Sequence, residues 1–277
     1  MLAFLVLVWV GLLQASISLE EHRTRRTALV SALPDAVIVL SGATEAEKGG
    51  LRDGFRQESN FLYLSGWREP NAWLILVAGK EVLFLPKRSE VRERYTGPKL
   101  DFSDANAREV TAIDEVADIA GLDDRIRQYA GKSRSFYAIP GSTAAAKLSA
   151  ILGEGRVIHD LARPLARLRM IKSQREIELI RAATEATIDG HLAAWTVKAP
   201  GVYEYQVAAA MGYTYFDRGC ERHAYTPIVA SGPNAIVLHY AKNRRRMDAG
   251  ELLLMDFGAE CADYSADITR TVPVSGK

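Results

Sequence analysis

The stretch LLLMDFGAECADYSADITRT, Leu252 to Thr271, decides how the rest of the chain is read. Four apolar residues lead into Asp256, and Asp267 follows eleven positions later at the head of another apolar-alternating run. Both runs have strand character. An acidic side chain inside an apolar strand is unfavourable unless it is paired or holds a metal. Two of them on neighbouring strands suggest a shared cation, since carboxylates are hard ligands suited to Mn, Mg or Ca, and with imidazole help to Zn or Co. Spacing alone equally allows two aspartates bonding turn amides at strand ends. The triplet Asp256-Phe257-Gly258 also spells a kinase magnesium motif, but no Gly-rich loop, strand lysine or H-R-D-x-x-x-x-N loop precedes it. No H-E-x-x-H, G-x-S-x-G or Walker sequence occurs either.

Outward from this stretch, strands are expected over 227–230, 236–240, 252–259 and 268–274, separated by Ser231-Gly232-Pro233-Asn234 and Asp248-Ala249-Gly250 turns. Upstream, Ser173 and Glu176 form a capping box that opens a helix to about Val197. Pro200-Gly201 breaks it, and a second helix follows over 204–218. Before a boundary near 163–172, helical patterns over 20–33, 116–129 and 142–152 alternate with apolar strand-length runs over 36–40, 61–64, 73–77, 81–85 and 135–139. This alternation gives an α/β (α+β) fold class in two domains.

The chain has 277 residues, 35 Lys plus Arg against 34 Asp plus Glu, and a net charge of +1, which excludes an electrostatic binder of nucleic acid. The basic run Arg244-Arg245-Arg246 reads as a solvated turn. Cys220 and Cys261 have neither CxxC spacing nor a disulfide-framework pattern, so they are expected to be small buried apolar residues. His22, His159 and His191 are expected at the surface. His239 lies on an apolar run and by itself reads as a core residue, whereas Arg222 and His223 lie just before the strand region. The apolar run Leu2 to Leu13 is too short to span a bilayer but fits the h-region of a secretory leader, with residues 1–18 removed. An exported or periplasmic protein is therefore expected, with a cytoplasmic one as the alternative.

The segment Ala224 to Lys277 closely resembles the first half of the catalytic domain of the Xaa-Pro aminopeptidases (aminopeptidase P), pita-bread metallopeptidases of family M24. FRQESNFLYLSGWREPNAWLIL, Phe55 to Leu76, resembles their N-terminal domain, and IKSQREIELIRAATEAT, Ile171 to Thr187, the helix that opens their catalytic domain. The resemblance implies a creatinase/aminopeptidase P-type N-terminal domain over 19–165 and a partial pita-bread catalytic domain over 166–277. Asp256 and Asp267 match two ligands of a dinuclear centre of divalent ions, Mn first, with Co or Zn as alternatives. His239 matches a catalytic histidine near the substrate, and Tyr240 joins it as a substrate-binding residue. Three of the five implied ligands, a His and two Glu, would lie beyond Lys277.

The resemblance further implies hydrolysis of the bond between an N-terminal residue and a following proline, peptide substrates with proline second, and a homo-oligomer when full length. The chain would be truncated and inactive alone. Prolidase, an Xaa-Pro dipeptidase, is the alternative within the fold. A non-catalytic binding or assembly module is the alternative outside catalysis.

Overall fold

The computed structural model describes residues 16–50, 54–132 and 135–275. Residues 1–15, which hold most of the expected leader, lie outside them. The chain divides into two compact units, 17–171 and 172 onward. Among the described residues no helix is long and apolar enough to cross a membrane.

The main elements of the first unit are, in chain order, α1 (Leu19–Ala32), β1 (Ala36–Ser41), α2 (Ser59–Ser65), β2 (Trp73–Val77), β3 (Lys80–Leu85), β4 (Glu115–Asp118), α3 (Leu122–Ala130), β5 (Ser135–Ala138), α4 (Thr143–Leu152), β6 (Ile158–Asp160) and α5 (Ala162–Met170). The strands form one mixed sheet in the order β4-β3-β2-β1-β5-β6. In it β1 pairs antiparallel with β2 and parallel with β5. Because successive strand side chains point to opposite faces, the apolar runs serve two cores. Ile38, Leu40, Leu74, Leu76, Leu83 and Leu85 pack with Leu29 of α1, Phe61 and Leu64 of α2 and Leu165 of α5. Val37, Val39, Ile75, Val82 and Phe84 meet Ile126 of α3 and Leu148 of α4 on the other face. A β run covered on both sides must be apolar at every position, which is why AVIVL carries no polar alternation.

Three expectations for this unit are overturned. Residues 61–64 are helical: Glu58 Oε2 accepts the Phe61 amide at 2.7 Å, and Gly66 closes the helix in the left-handed region at φ 67°. The expected helix over 116–129 begins as β4, and only its second part is α3. His22 is buried rather than exposed, and His159 is exposed on β6 with its ring stacked on Tyr137.

The second unit begins with α6 (Gln174–Val197), whose capping box at Ser173 and Glu176 forms as expected, followed by α7 (Glu204–Asp217). Six strands follow: β7 (Arg222–His223), β8 (Ile228–Ser231), β9 (Leu252–Phe257), β10 (Ala259–Cys261), β11 (Tyr264–Ser265) and β12 (Ile268–Pro273). They make two antiparallel three-stranded sheets, β8-β9-β12 and β11-β10-β7. Leu253, Met255 and Phe257 face a core shared with Ala183, Ala186 and Ala194 of α6 and Val207, Met211 and Tyr215 of α7. The helices cross closely at Gly190, where a Cβ would stand 2.4 Å from the Tyr215 ring.

Cys220 and Cys261 are buried, as expected, but they are joined in a disulfide with an S–S distance of 1.97 Å. The pairing arises because Cys220, just after α7, is carried to β10 by the β7–β10 ladder, in which Arg222 pairs with Glu260. No local spacing could announce it.

Candidate active site

Asp256 is the fifth residue of β9, the central strand of its sheet, in register with Ile228 on β8 and Thr269 on β12. Since Met255 and Phe257 point into the helical core, Asp256 points to the opposite face, where it is only half-buried. Asp267 stands one residue before β12 and is exposed. The strand after Asp256 turns back so tightly that the Ala266 amide bonds the Ala259 carbonyl at 3.0 Å, which returns Asp267 towards Asp256.

One hydroxyl joins them. Tyr225 Oη lies 2.5 Å from Asp256 Oδ1 and 2.9 Å from Asp267 Oδ1. A phenol has a single hydrogen to donate, so the two carboxylates compete for it. Burial, and then the two carboxylates, raise the Tyr225 phenol well above its ordinary pKa, so it remains a neutral donor. Sequence reasoning missed Tyr225, because its place depends on the Ala224 amide donating to the Gly258 carbonyl at 2.8 Å, a pairing across 34 residues. The aspartates themselves were legible.

From the core side, α6 braces both turns. Thr187 Oγ1 accepts the Ala259 amide at 2.9 Å. His191, expected at the surface, is buried, bonds the Ile268 carbonyl through Nε2 at 3.0 Å and stacks on Phe257 at 4.4 Å between ring centres. One imidazole thus touches the residue following each aspartate, and its burial lowers its pKa. His223 sits over Gly212 and packs edge-on against Tyr215 and Phe216, and Arg222 pairs with Glu260 at 3.3 Å.

The expected strand over 236–240 is absent: Gly232–Ile236 is a 3-10 turn, and 237–240 continue as irregular chain. His239 is therefore exposed rather than a core residue, and among the described residues no hydrogen bond or ion pair ties it to either aspartate. Tyr240 is half-buried, its hydroxyl 2.8 Å from Glu204. Of the three arginines read as a solvated turn, Arg245 turns inward and bonds Glu251 at 2.6 Å.

Two convergent carboxylates suit a hard or borderline divalent ion. Among the described residues no group of three or more His, Cys, Asp or Glu stands ready to hold one.

Comparison with known proteins gives this geometry its context. The description of metallopeptidase family M24 matches residues 178–277, and that of the aminopeptidase P N-terminal domain matches residues 22–137. The chain is 34% identical to the Xaa-Pro aminopeptidase of Haemophilus influenzae over 95% of its own length and 63% of that protein. Zn-substituted Escherichia coli aminopeptidase P in complex with product superposes with a TM-score of 0.86 at 28% identity, covering 95% of this chain and 64% of that one. Pseudomonas aeruginosa aminopeptidase PepP gives 0.81 at 30% identity, with 95% and 63% covered. The chain thus spans just under two thirds of the proteins it matches. With both of its units matched, it belongs to metallopeptidase family M24, and its N-terminal domain is of the aminopeptidase P type.

Proposed function

We propose that the protein is a metal-dependent aminopeptidase that releases an N-terminal residue preceding proline. The observation that carries this reading is the convergence of Asp256 and Asp267 on one hydroxyl, in a chain of this family. Proline has no amide hydrogen and restricts the residue before it, so its peptide bond calls for a dedicated site. A pair of divalent ions, Mn first, supplies Lewis-acid polarisation of the scissile carbonyl and a water of lowered pKa. Asp256 and Asp267 are the ligands this chain contributes. Tyr225 holds their oxygens together as a neutral donor, and exposed His239 is available to hydrogen-bond the peptide. Substrate peptides and a homo-oligomeric assembly belong to the same proposal.

Export is part of the reading too. A disulfide buried between α7 and β10 persists in an oxidising compartment and is rare in a reducing cytosol, and the apolar run Leu2 to Leu13 suits a leader.

The experiment is hydrolysis of Arg-Pro-Pro against Gly-Pro by the purified protein, with manganese and with EDTA. Cleavage of the tripeptide that EDTA abolishes and Asp267→Asn removes supports the reading and overturns the expectation that this chain is inactive alone. Preference for Gly-Pro would make it a dipeptidase. No cleavage of either, with manganese binding unchanged by Asp256→Asn, would overturn it in favour of a non-catalytic module.

A further inference from the structure

Glu204, the first residue of α7, is fully buried and has no apolar role. Its Oε1 accepts from the Ser231 amide at 2.8 Å, the Ser231 hydroxyl at 2.8 Å and the Asn234 side-chain amide at 3.1 Å. Its Oε2 accepts from the Tyr240 hydroxyl at 2.8 Å and the Arg245 amide at 2.9 Å. Every one of these donors comes from residues 231–245, and the Glu204 amide in turn donates to the Arg245 carbonyl at 3.0 Å.

A buried carboxylate is tolerated only when donors replace its lost hydration. Here they do so fully, and these hydrogen bonds hold the carboxyl below the usual carboxylate range despite its burial. The converse matters more for the loop. Ile236 and Leu238 are 87% and 88% exposed, so apolar packing does not hold the middle of the segment. Asn243 pins its far end, accepting from the Val229 amide and donating to the Pro227 carbonyl. Between Ser231 and Arg245 the common anchor is one carboxylate, and its bond to Tyr240 lies directly beside His239.

We propose that Glu204 is a positioning residue whose carboxylate fixes where the Leu238-His239-Tyr240 segment stands. It acts on chemistry only through His239, and so rests on the reading of His239 as the imidazole that meets the substrate. The segment is tethered at its ends and at Tyr240, and left open to solvent where a peptide would approach.

Hydrogen exchange followed by mass spectrometry tests this on the intact chain. In Glu204→Gln, two of the donors face an amide group that can no longer accept them all, so amides of 232–244 exchange about tenfold faster while those of β9 and α6 stay within about twofold. Tyr240→Phe keeps the charge and the fold and gives a smaller acceleration confined to residues near His239, which decides the matter if the glutamine variant does not fold. Unchanged exchange of the loop in Tyr240→Phe, or acceleration spread evenly over the unit, overturns the proposal. With Arg-Pro-Pro the same variants lower kcat more than they raise KM. If the parent protein cleaves nothing, the exchange result alone decides whether Glu204 orders the loop, and the peptidase reading is judged separately by whether Asp256→Asn changes manganese binding.

Discussion

Gly258 passes so close to Ala266 that a Cβ on it would stand 1.7 Å from the Ala266 carbonyl oxygen. The backbone there lies outside the left-handed region, so glycine is required by contact rather than by torsion. Both residues of the contact lie between the two aspartates in sequence. Gly258→Ala must push the 265–267 segment outward and draw Asp267 away from Asp256. Overpacking of this kind costs about 1–3 kcal/mol or more. A lowered urea midpoint, together with weaker manganese binding, is the expected result, and an unchanged midpoint would contradict the geometry.

The disulfide between Cys220 and Cys261 closes a loop of 41 residues in sequence separation. On chain entropy alone a bridge of this span contributes about 4 kcal/mol, and removal of native bridges costs about 2–5 kcal/mol. The Cys220→Ala/Cys261→Ala double variant should therefore unfold at markedly lower denaturant than the oxidised protein. Dithiothreitol should lower the parent towards the double variant and leave the double variant unmoved. Intact mass under non-reducing conditions should be two hydrogens lighter than the reduced chain.

Much of this fold was legible because burial imposes patterns. The AVIVL run, the Ser173 capping box and the apolar lead into Asp256 each reflect a local rule that the tertiary structure obeys. What escaped depended on partners distant in sequence. Tyr225 acquires its role from the bond between the Ala224 amide and the Gly258 carbonyl, and the cysteines from the β7–β10 ladder. Residues 61–64 were misread for another reason: four apolar residues carry no period, and the signals that settle them, Glu58 as N-cap and Gly66 as C-cap, flank the run. The Ile236-Val237-Leu238 run suggests a strand for the same lack of a period, yet it stays exposed, and the bonds to Glu204 come from Asn234 and Tyr240 on either side of it.

In the first unit, Arg26 has a fully buried side chain that donates to the Leu64 carbonyl at 2.9 Å and the Ala112 carbonyl at 2.7 Å, and lies 2.8 Å from Glu81. Arg26→Ala removes the guanidinium and leaves Glu81 and both carbonyls without it. Breaking a buried pair from one side costs about 3–5 kcal/mol. Arg26→Met with Glu81→Gln fills the space without an orphaned charge, and should recover a large part of that loss in thermal unfolding. If the single variant matches the parent, the pair has no structural weight.

His22 gives the pH dependence of the same unit a definite sign. Its Nδ1 donates to the Tyr63 carbonyl at 3.0 Å, and the ring packs where a Cβ on Gly66 would come within 2.8 Å. Burial first, then the nearby Arg25 and Arg26, disfavour the imidazolium and lower its pKa from 6.5 to about 4, against the Tyr63 bond that raises it. Above pH 6.5 the ring is neutral whether the chain is folded or not, and His22 gives no pH dependence. As the pH falls from 6.5 to 4 the unfolded chain takes up a proton that the folded one refuses, so stability drops through that window. Below pH 4 both forms are protonated and the loss is complete. A shift of this size corresponds to roughly 3 kcal/mol. Other groups titrate over the same range, so the decisive quantity is the difference between the parent and His22→Asn. The variant starts less stable at pH 7 through lost packing, and should lose less on acidification to pH 4. Parallel stability curves for the two proteins would mean that His22 takes up its proton in the folded chain as readily as in the unfolded one.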